Sequence, residues 1–234
     1  MSHFEIVTIW ILIFVKNLNP AHVVIYNHGL TTAVTAYGRE GQIEKCHLFM
    51  EKTEDSPTPK IGFAGISVTK TTFQEMIEIL EKCHNLNESL VDNSTETNKW
   101  QITTIFRGIA PGTMWCGLND IAQTYDQLGS DRELDKCCRT HDHCPVRVQP
   151  KQRLFGLLNG AFYTKSHCLC DDILYNCLKK SKSIEAEIIG NIYFNFIQVQ
   201  CVTENEKKLC LRNCKEKSLK DYKFVAVKRP WARG

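Results

Sequence analysis

The sequence lacks a long apolar run, a Gly-x-Ser-x-Gly motif and a large net charge, and each absence excludes a class of protein. The apolar run Ile6–Val15 has ten residues, too few to cross a bilayer, because a spanning helix needs about 20. No Gly-x-Ser-x-Gly motif occurs, so a serine nucleophile of the kind that this motif carries is not expected. The net charge is only +3, and we expect no nucleic-acid partner.

Lysine and arginine are also missing before Lys16. The run Ile6–Val15 still has the length of the apolar part of a signal peptide, and cleavage after Ala21 would give a signal peptide of residues 1–21. Asn19 and the uncharged start depart from the usual signal pattern. The alternative is that the run stays in the protein as a buried strand.

Cysteine is scarce in the first hundred residues, where Cys46 and Cys83 are alone and are expected to pair. The whole chain has 12 cysteines, an even number. Together with the glycosylation sequons that begin at Asn87 and Asn93, this predicts a secreted, extracellular glycoprotein with disulfide bonds.

The N-terminal segment, residues 22–107, predicts a small α+β unit. His22–Tyr26 and Cys46–Met50 resemble short strands, and Thr71–Cys83 has the apolar spacing of an amphipathic helix. Residues 86–107 have the polar composition of an exposed linker. Proteolytic cleavage after Arg107 is one hypothesis. The segment is then either a propeptide or an accessory domain, and residues 108–234 form the main domain.

The richest stretch of the chain is Cys137–Pro145, which contains three cysteines, two histidines and a carboxylate. A helix over Asp131–Cys144 would place Cys137, His141 and Cys144 on one stripe. Cys138 and Asp142 would form a second stripe about 100° away. His141 and Asp142 would therefore face different neighbours.

A second helix is predicted over Ser166–Lys180. Cys170 and Cys177 are seven residues apart, as are Cys137 and Cys144. Two helices side by side could therefore be joined by a disulfide at each end, and antiparallel packing is favoured over parallel packing. In either arrangement His141 and Asp171 lie between the two bridges.

A third helix is predicted over Ser183–Cys201, and Val146–Tyr163 is predicted to be a loop or a loose hairpin. Residues 206–234 contain ten Lys or Arg against three Asp or Glu. This basic tail could attract an anionic lipid surface, or it could be an ordinary solvated segment.

A histidine held by an aspartate can take a proton from water, so His141 with Asp171 is a candidate general base. Asp142 could bind calcium if backbone carbonyls of the Trp115–Asn119 loop complete the site. A zinc site built from His141, His143 and nearby cysteines is less favoured, because His143 would point away from His141. A purely structural helix pair, with His141 bonded in the core, is the remaining alternative.

In the region of His141 and Asp171 the chain resembles secreted phospholipase A2 of group III, the bee-venom type. The resemblance covers roughly Gly108–Cys214 and lies in four cysteine-framed or glycine-containing motifs. They are Pro111–Gly117, Cys137–Pro145, Cys168–Lys179 and Gly190–Asn195.

The resemblance implies calcium-dependent hydrolysis of the sn-2 ester of glycerophospholipids at a phospholipid membrane surface. It implies that His141 is the general base, that Asp171 orients it and that Tyr193 donates a hydrogen bond to Asp171. One calcium ion would be held by the Asp142 carboxylate and by the carbonyls of Trp115, Gly117 and Asn119. Asn119 departs from the glycine that the family usually has at this position.

The resemblance also implies a set of disulfides and a fold class. The implied disulfides are Cys116–Cys138, Cys137–Cys177, Cys144–Cys170, Cys168–Cys201 and Cys210–Cys214. The expected fold is mainly α with small β elements, built on a disulfide-stapled antiparallel helix pair and preceded by the small α+β segment. A non-catalytic membrane- or receptor-binding protein on the same scaffold is the alternative function.

Overall fold

The computed structural model describes residues 22–51, 68–86, 108–117, 120–205 and 222–232. The predicted signal peptide, most of the linker with its sequons, Arg107, Asn119 and the Cys210–Cys214 disulfide lie outside these ranges. No helix in the described part of the chain is long and apolar enough to cross a membrane.

The N-terminal segment forms a four-stranded sheet in the order β3-β2-β1-β4. Neighbouring strands are antiparallel except for β1 and β4, which are parallel. The strands are β1 His22–His28, β2 Thr31–Tyr37, β3 Ile43–Met50 and β4 Val68–Lys70. Both predicted strands are confirmed within β1 and β3, whereas β2 was not predicted.

Helix α1, Phe73–His84, follows the sheet and confirms the predicted amphipathic helix. It begins with a capping box, in which the Thr72 side chain accepts from the Glu75 amide and the Glu75 carboxylate accepts from the Thr72 amide. Met76, Ile77 and Leu80 are buried on its inner face. The predicted Cys46–Cys83 disulfide joins α1 to β3.

The N-terminal segment packs directly on the rest of the chain. The Leu30 amide donates to the Pro145 carbonyl at 3.0 Å, and the Thr31 hydroxyl donates to the His143 carbonyl at 3.0 Å. Gly29, at φ +54°, fits there because a Cβ would lie 2.3 Å from the Pro145 oxygen. One hydrophobic core continues from Leu48 and Met76 into Val146 and beyond.

Helix α2, Arg132–Asp142, is capped by Asp131, whose side chain accepts from the Leu134 amide. It ends two residues before the predicted boundary, so Cys144 lies beyond it. Helix α3, Cys168–Lys180, starts two residues later than predicted. The Cys137–Cys177 and Cys144–Cys170 disulfides connect the two helical segments, as predicted.

The predicted third helix, Ser183–Cys201, is confirmed as far as Phe196 and is wrong beyond it. Helix α4, Ile184–Gly190, continues as a π-helix over Asn191–Phe196, and the chain then enters strand β9, Gln200–Glu204. The Cys168–Cys201 disulfide and pairing with strand β10, Tyr222–Ala226, hold this region extended. The apolar pattern does not separate the two conformations, because Val199 and Cys201 are buried in the extended segment, whereas Ile184 and Phe196 of the helical segment are 75% and 79% exposed.

Three two-stranded sheets complete the fold. Three of the four short strands lie in Val146–Tyr163, the segment that is predicted to be a loop or a loose hairpin, and the fourth follows it. The short strands are β5 Arg147–Val148, β6 Arg153–Leu154, β7 Leu157–Leu158 and β8 Lys165–Ser166. Strand β5 pairs with β8, and β6 with β7. The expected mainly α class is thus correct only in part, because the described chain combines four α-helices with ten strands.

Candidate active site

His141 and Asp171 are brought together by the ends of two helices. His141 lies in the last turn of α2, and Asp171 in the first turn of α3. His141 Nε2 lies 2.9 Å from Asp171 Oδ1, and the Asp171 side chain is fully buried. Because a carboxylate only accepts, Nε2 carries the proton, and Nδ1 is left with a lone pair.

Tyr193 comes from the π-helix and binds the same carboxylate. Its hydroxyl donates to Asp171 Oδ1 at 3.2 Å, and its ring stands edge-on to the His141 ring with centroids 5.7 Å apart. Burial and the Asp171 charge raise the pKa of Tyr193 well above its ordinary value. The hydroxyl therefore stays protonated and remains a donor.

Asp142 follows His141 in sequence, and its side chain is 28% exposed. Burial, chiefly, raises the pKa of its carboxyl to about 6, and the nearby Asp120 and Asp135 carboxylates add to the shift. The Arg147 guanidinium lies 4.0 Å away and opposes it. The Asp142 carboxylate is therefore the side-chain oxygen ligand that this part of the site offers.

The loop before α2 is held by Asp135, a fully buried carboxylate in the first turn of that helix. Its oxygens accept from the backbone amides of Met114 and Trp115 and from the Gly129 amide at 2.8–3.0 Å. The Cys116–Cys138 disulfide ties the same loop to α2, as predicted. Asp135 thereby fixes the backbone from which the Trp115 and Gly117 carbonyls are expected to bind calcium.

The residues present fit calcium in their chemistry. The expected ligands are one carboxylate and backbone carbonyls, and hard oxygen ligands of this kind suit calcium. Across the described ranges, no group of three or more His, Cys, Asp or Glu side chains could hold a metal. Asn119, the fourth expected ligand, lies outside those ranges.

The zinc alternative is wrong, because its ligands have other partners. Cys137, Cys138 and Cys144 are all in disulfides and cannot act as thiolate ligands. His143 Nδ1 donates to the Arg139 carbonyl at 2.7 Å, and the ring is buried against Tyr125 and Trp115. His143 is a core residue.

A cavity of about 300 Å³ opens beside Asp142. Asp120, Asp142 and Arg147 line one part, and His47–Glu51 of the N-terminal sheet line another. The N-terminal segment therefore contributes to the surroundings of the candidate site. Sequence reasoning treated that segment as separate and missed this contribution.

Sequence reasoning also missed Asp135, Arg147 and Arg229, which lies 4.0 Å from Asp171. Asp135 could have been found from its position, since it is a carboxylate one turn after the Asp131 cap on the face that carries Cys138. No comparable pattern in the sequence marks Arg147 or Arg229.

Comparison with known proteins identifies the family of the central part of the chain. The family model described as Phospholipase A2 matches residues 109–205. Acidic phospholipase A2 PA4 of Heloderma suspectum is 37% identical over 105 residues, which are 45% of this chain and 74% of that protein. A phospholipase A2 of Apis cerana cerana is 39% identical, over 47% of this chain and 90% of the relative.

Human group 3 secretory phospholipase A2 is 38% identical over 101 residues, which are 43% of this chain but only 20% of the human protein. The N-terminal unit lies outside the matched family region. Over residues 109–205 the chain belongs to the phospholipase A2 family, with similarity to its group III, bee-venom-type members.

Proposed function

We propose that this protein is a secreted, calcium-dependent phospholipase A2 that hydrolyses the sn-2 ester of glycerophospholipids. The observation that carries the proposal is the contact of His141 and Tyr193 with one oxygen of the buried Asp171, beside Asp142. Family membership supports phospholipid hydrolysis, and the side chains supply the chemistry that the reaction needs.

In the proposed reaction, His141 Nδ1 accepts a proton from the water that attacks the ester carbonyl. Nε2 keeps its proton, which it donates to Asp171 Oδ1. The Asp171 charge stabilises the imidazolium that forms, and the Tyr193 hydroxyl holds the carboxylate in place. His141 then returns the proton to the leaving alkoxide as the ester bond breaks, giving fatty acid and lysophospholipid.

The Asp142 carboxylate, with the Trp115, Gly117 and Asn119 carbonyls, would hold the calcium ion. When bound, the ion supplies a Lewis acid that polarises the ester carbonyl and stabilises the oxyanion. The hold of Asp135 on the loop and the Cys116–Cys138 disulfide support this assignment, because both restrain the backbone that carries the carbonyls.

The proposed setting is a phospholipid membrane surface outside the cell, reached after removal of residues 1–21. We propose that residues 22–85 are an accessory unit of the enzyme, with the glycosylated linker over 86–107 and the catalytic domain over 108–234. The hydrogen bonds of Leu30 and Thr31 to the main domain support an accessory unit over a released propeptide.

The experiment measures fatty-acid release from phosphatidylcholine vesicles, with mass spectrometry to identify the ester that is cleaved. Wild-type activity should require calcium, whereas His141→Gln and Asp171→Asn should lose at least about a thousandfold, since the base and its partner act as a unit. Asp172→Asn is the matched control, because it removes an exposed carboxylate one residue away and should keep near wild-type activity.

Activity that persists in His141→Gln or in the presence of a chelator would overturn the mechanism. Calorimetric titration with calcium, combined with the fatty-acid assay, distinguishes the proposed enzyme from a non-catalytic binding protein. A wild-type protein that binds phosphatidylcholine vesicles but releases no fatty acid at saturating calcium would be a non-catalytic binding protein.

A further inference from the structure

The buried carboxylate of Asp171 has two oxygens in different surroundings. Oδ1 accepts from both His141 and Tyr193. Among the described residues, Oδ2 has no hydrogen-bond donor, although it is fully buried. A buried carboxylate oxygen without a donor is unfavourable unless a positive charge compensates for it.

That positive charge is the guanidinium of Arg229, whose Nη1 lies 4.0 Å from Asp171 Oδ2. The Arg229 side chain is only 8% exposed, so little water screens the pair. Nη2 donates to the Cys168 carbonyl at 3.0 Å, and Nε donates to Asp172. These contacts hold the guanidinium against the first turn of α3.

The chain on both sides of Arg229 is anchored. Before it, strand β10 pairs with β9. After it, the buried Trp231 donates from its backbone to Asn195 and from its indole to Glu187, each at 2.9 Å. Gly190 makes room for the indole, since a Cβ there would lie 2.4 Å from the ring. We name residues 227–232 the C-terminal strap.

We propose that Arg229 is a positioning residue for the catalytic reaction, which acts by holding the Asp171 carboxylate in the rotamer that presents Oδ1 to His141 and Tyr193. This inference rests on the proposed function. It also removes Arg229 from the set of tail residues that could bind an anionic lipid surface, because its side chain is buried beside Asp171. The strap lies beyond the matched family region, residues 109–205.

The kinetic test uses a short-chain phosphatidylcholine below its micellar concentration, so that lipid-surface binding does not enter. Arg229→Gln should lower kcat by about 10- to 100-fold and leave KM within about twofold, because the contact supports a catalytic group and not the substrate. Arg229→Lys keeps the charge and should restore kcat to within about fivefold of wild type.

Asp172→Asn is the matched control for anchoring of the strap. It removes the negative charge of the exposed partner of Arg229, keeps an amide oxygen that can accept from Nε and leaves Asp171 in place, so kcat should stay within about twofold of wild type. The proposal is overturned if folded Arg229→Gln keeps wild-type kcat, or if Asp172→Asn lowers kcat as much as Arg229→Gln does. Should Arg229→Gln fail to fold, a folded Arg229→Lys with kcat lowered more than about fivefold would count against the proposal.

A stability measurement tests the pair without any catalytic activity. In a double-mutant cycle of Arg229→Gln and Asp171→Asn, the unfolding constants should show a coupling of about tenfold, as expected for a buried charged pair. The parallel cycle with Asp172→Asn should show about twofold or less, because Asp172 is half exposed. Equal coupling in the two cycles contradicts the proposal. An inactive wild type with strong Asp171 coupling would instead refute the proposed function alone.

Discussion

The hydroxyl of Tyr193 donates its hydrogen bond to Oδ1 of Asp171, the oxygen that also accepts from the candidate general base. Tyr193→Phe removes this donor and keeps the ring against His141. We expect kcat to fall about three- to tenfold and stability to fall by about 1 kcal/mol, the usual net value of one such hydrogen bond. Steady-state kinetics and urea unfolding would check both values. An unchanged kcat would show that the position of Asp171 does not depend on Tyr193.

The Asp135 carboxylate predicts a link between a buried side chain and calcium affinity. Asp135→Asn replaces one acceptor oxygen by a donor, which would face the amides of Met114, Trp115 or Gly129. We expect the Kd for calcium to rise about tenfold, with a stability loss of about 2 kcal/mol. Calorimetric titration and denaturation would measure these. Full calcium affinity in a folded variant would show that the loop does not depend on this carboxylate.

The lowered pKa of His47 predicts that the folded protein loses stability in acid. Its ring lies near Asp126, Tyr125 and Arg139, and His143 also packs against Tyr125. Burial, with the Arg139 charge, lowers the pKa of His47 from 6.5 to about 4. Between these values the unfolded chain binds a proton that the folded chain does not, so stability falls as pH falls through this window.

The His47 contribution lost between pH 7.5 and pH 5 is about 2 kcal/mol. His47→Gln should therefore show a smaller difference in unfolding free energy between these two pH values than wild type does. Some difference should remain, because burial also lowers the pKa of His143, to about 3. An equal difference in variant and wild type would show that His47 protonates without resistance in the folded protein.

The packing of the N-terminal unit on the main domain predicts that the two remain associated when the linker between them is cut. A specific protease site placed between residues 87 and 107 should yield two fragments that elute together in size-exclusion chromatography. Both cysteines of the first fragment pair with each other, so no disulfide would hold the fragments together. Separate elution would contradict an accessory unit.

Two glycines provide a matched pair for that experiment. Gly29→Ala would place a Cβ 2.3 Å from the Pro145 oxygen and should weaken fragment association. Gly41→Ala has a similar positive φ, +79°, but no atom lies within 4 Å of the added Cβ. It adds comparable local strain without touching the interface, so its fragments should remain together.

The sequence predicted the elements whose signals are local. Cysteine spacing placed His141 against Asp171, because a disulfide at each end leaves the two helices little freedom. Strand β2 was missed because three of its six buried residues, Thr31, Thr32 and Thr35, are polar, so the strand shows no alternating apolar pattern. From composition alone, Arg229 is one more basic residue of the tail. Its contact with Asp171 could not be predicted, because the two residues are far apart in sequence and no local pattern links them.

The contact of Arg229 with Asp171 also has a consequence for the order in which the site forms during synthesis. His141, Asp171 and Tyr193 leave the ribosome before strand β10 and the strap that follows it. A nascent chain that has reached Cys201 can close every disulfide among the described cysteines and still have an uncompensated charge beside its histidine. The newly made protein would therefore reach full activity only when its strap has docked, late in folding.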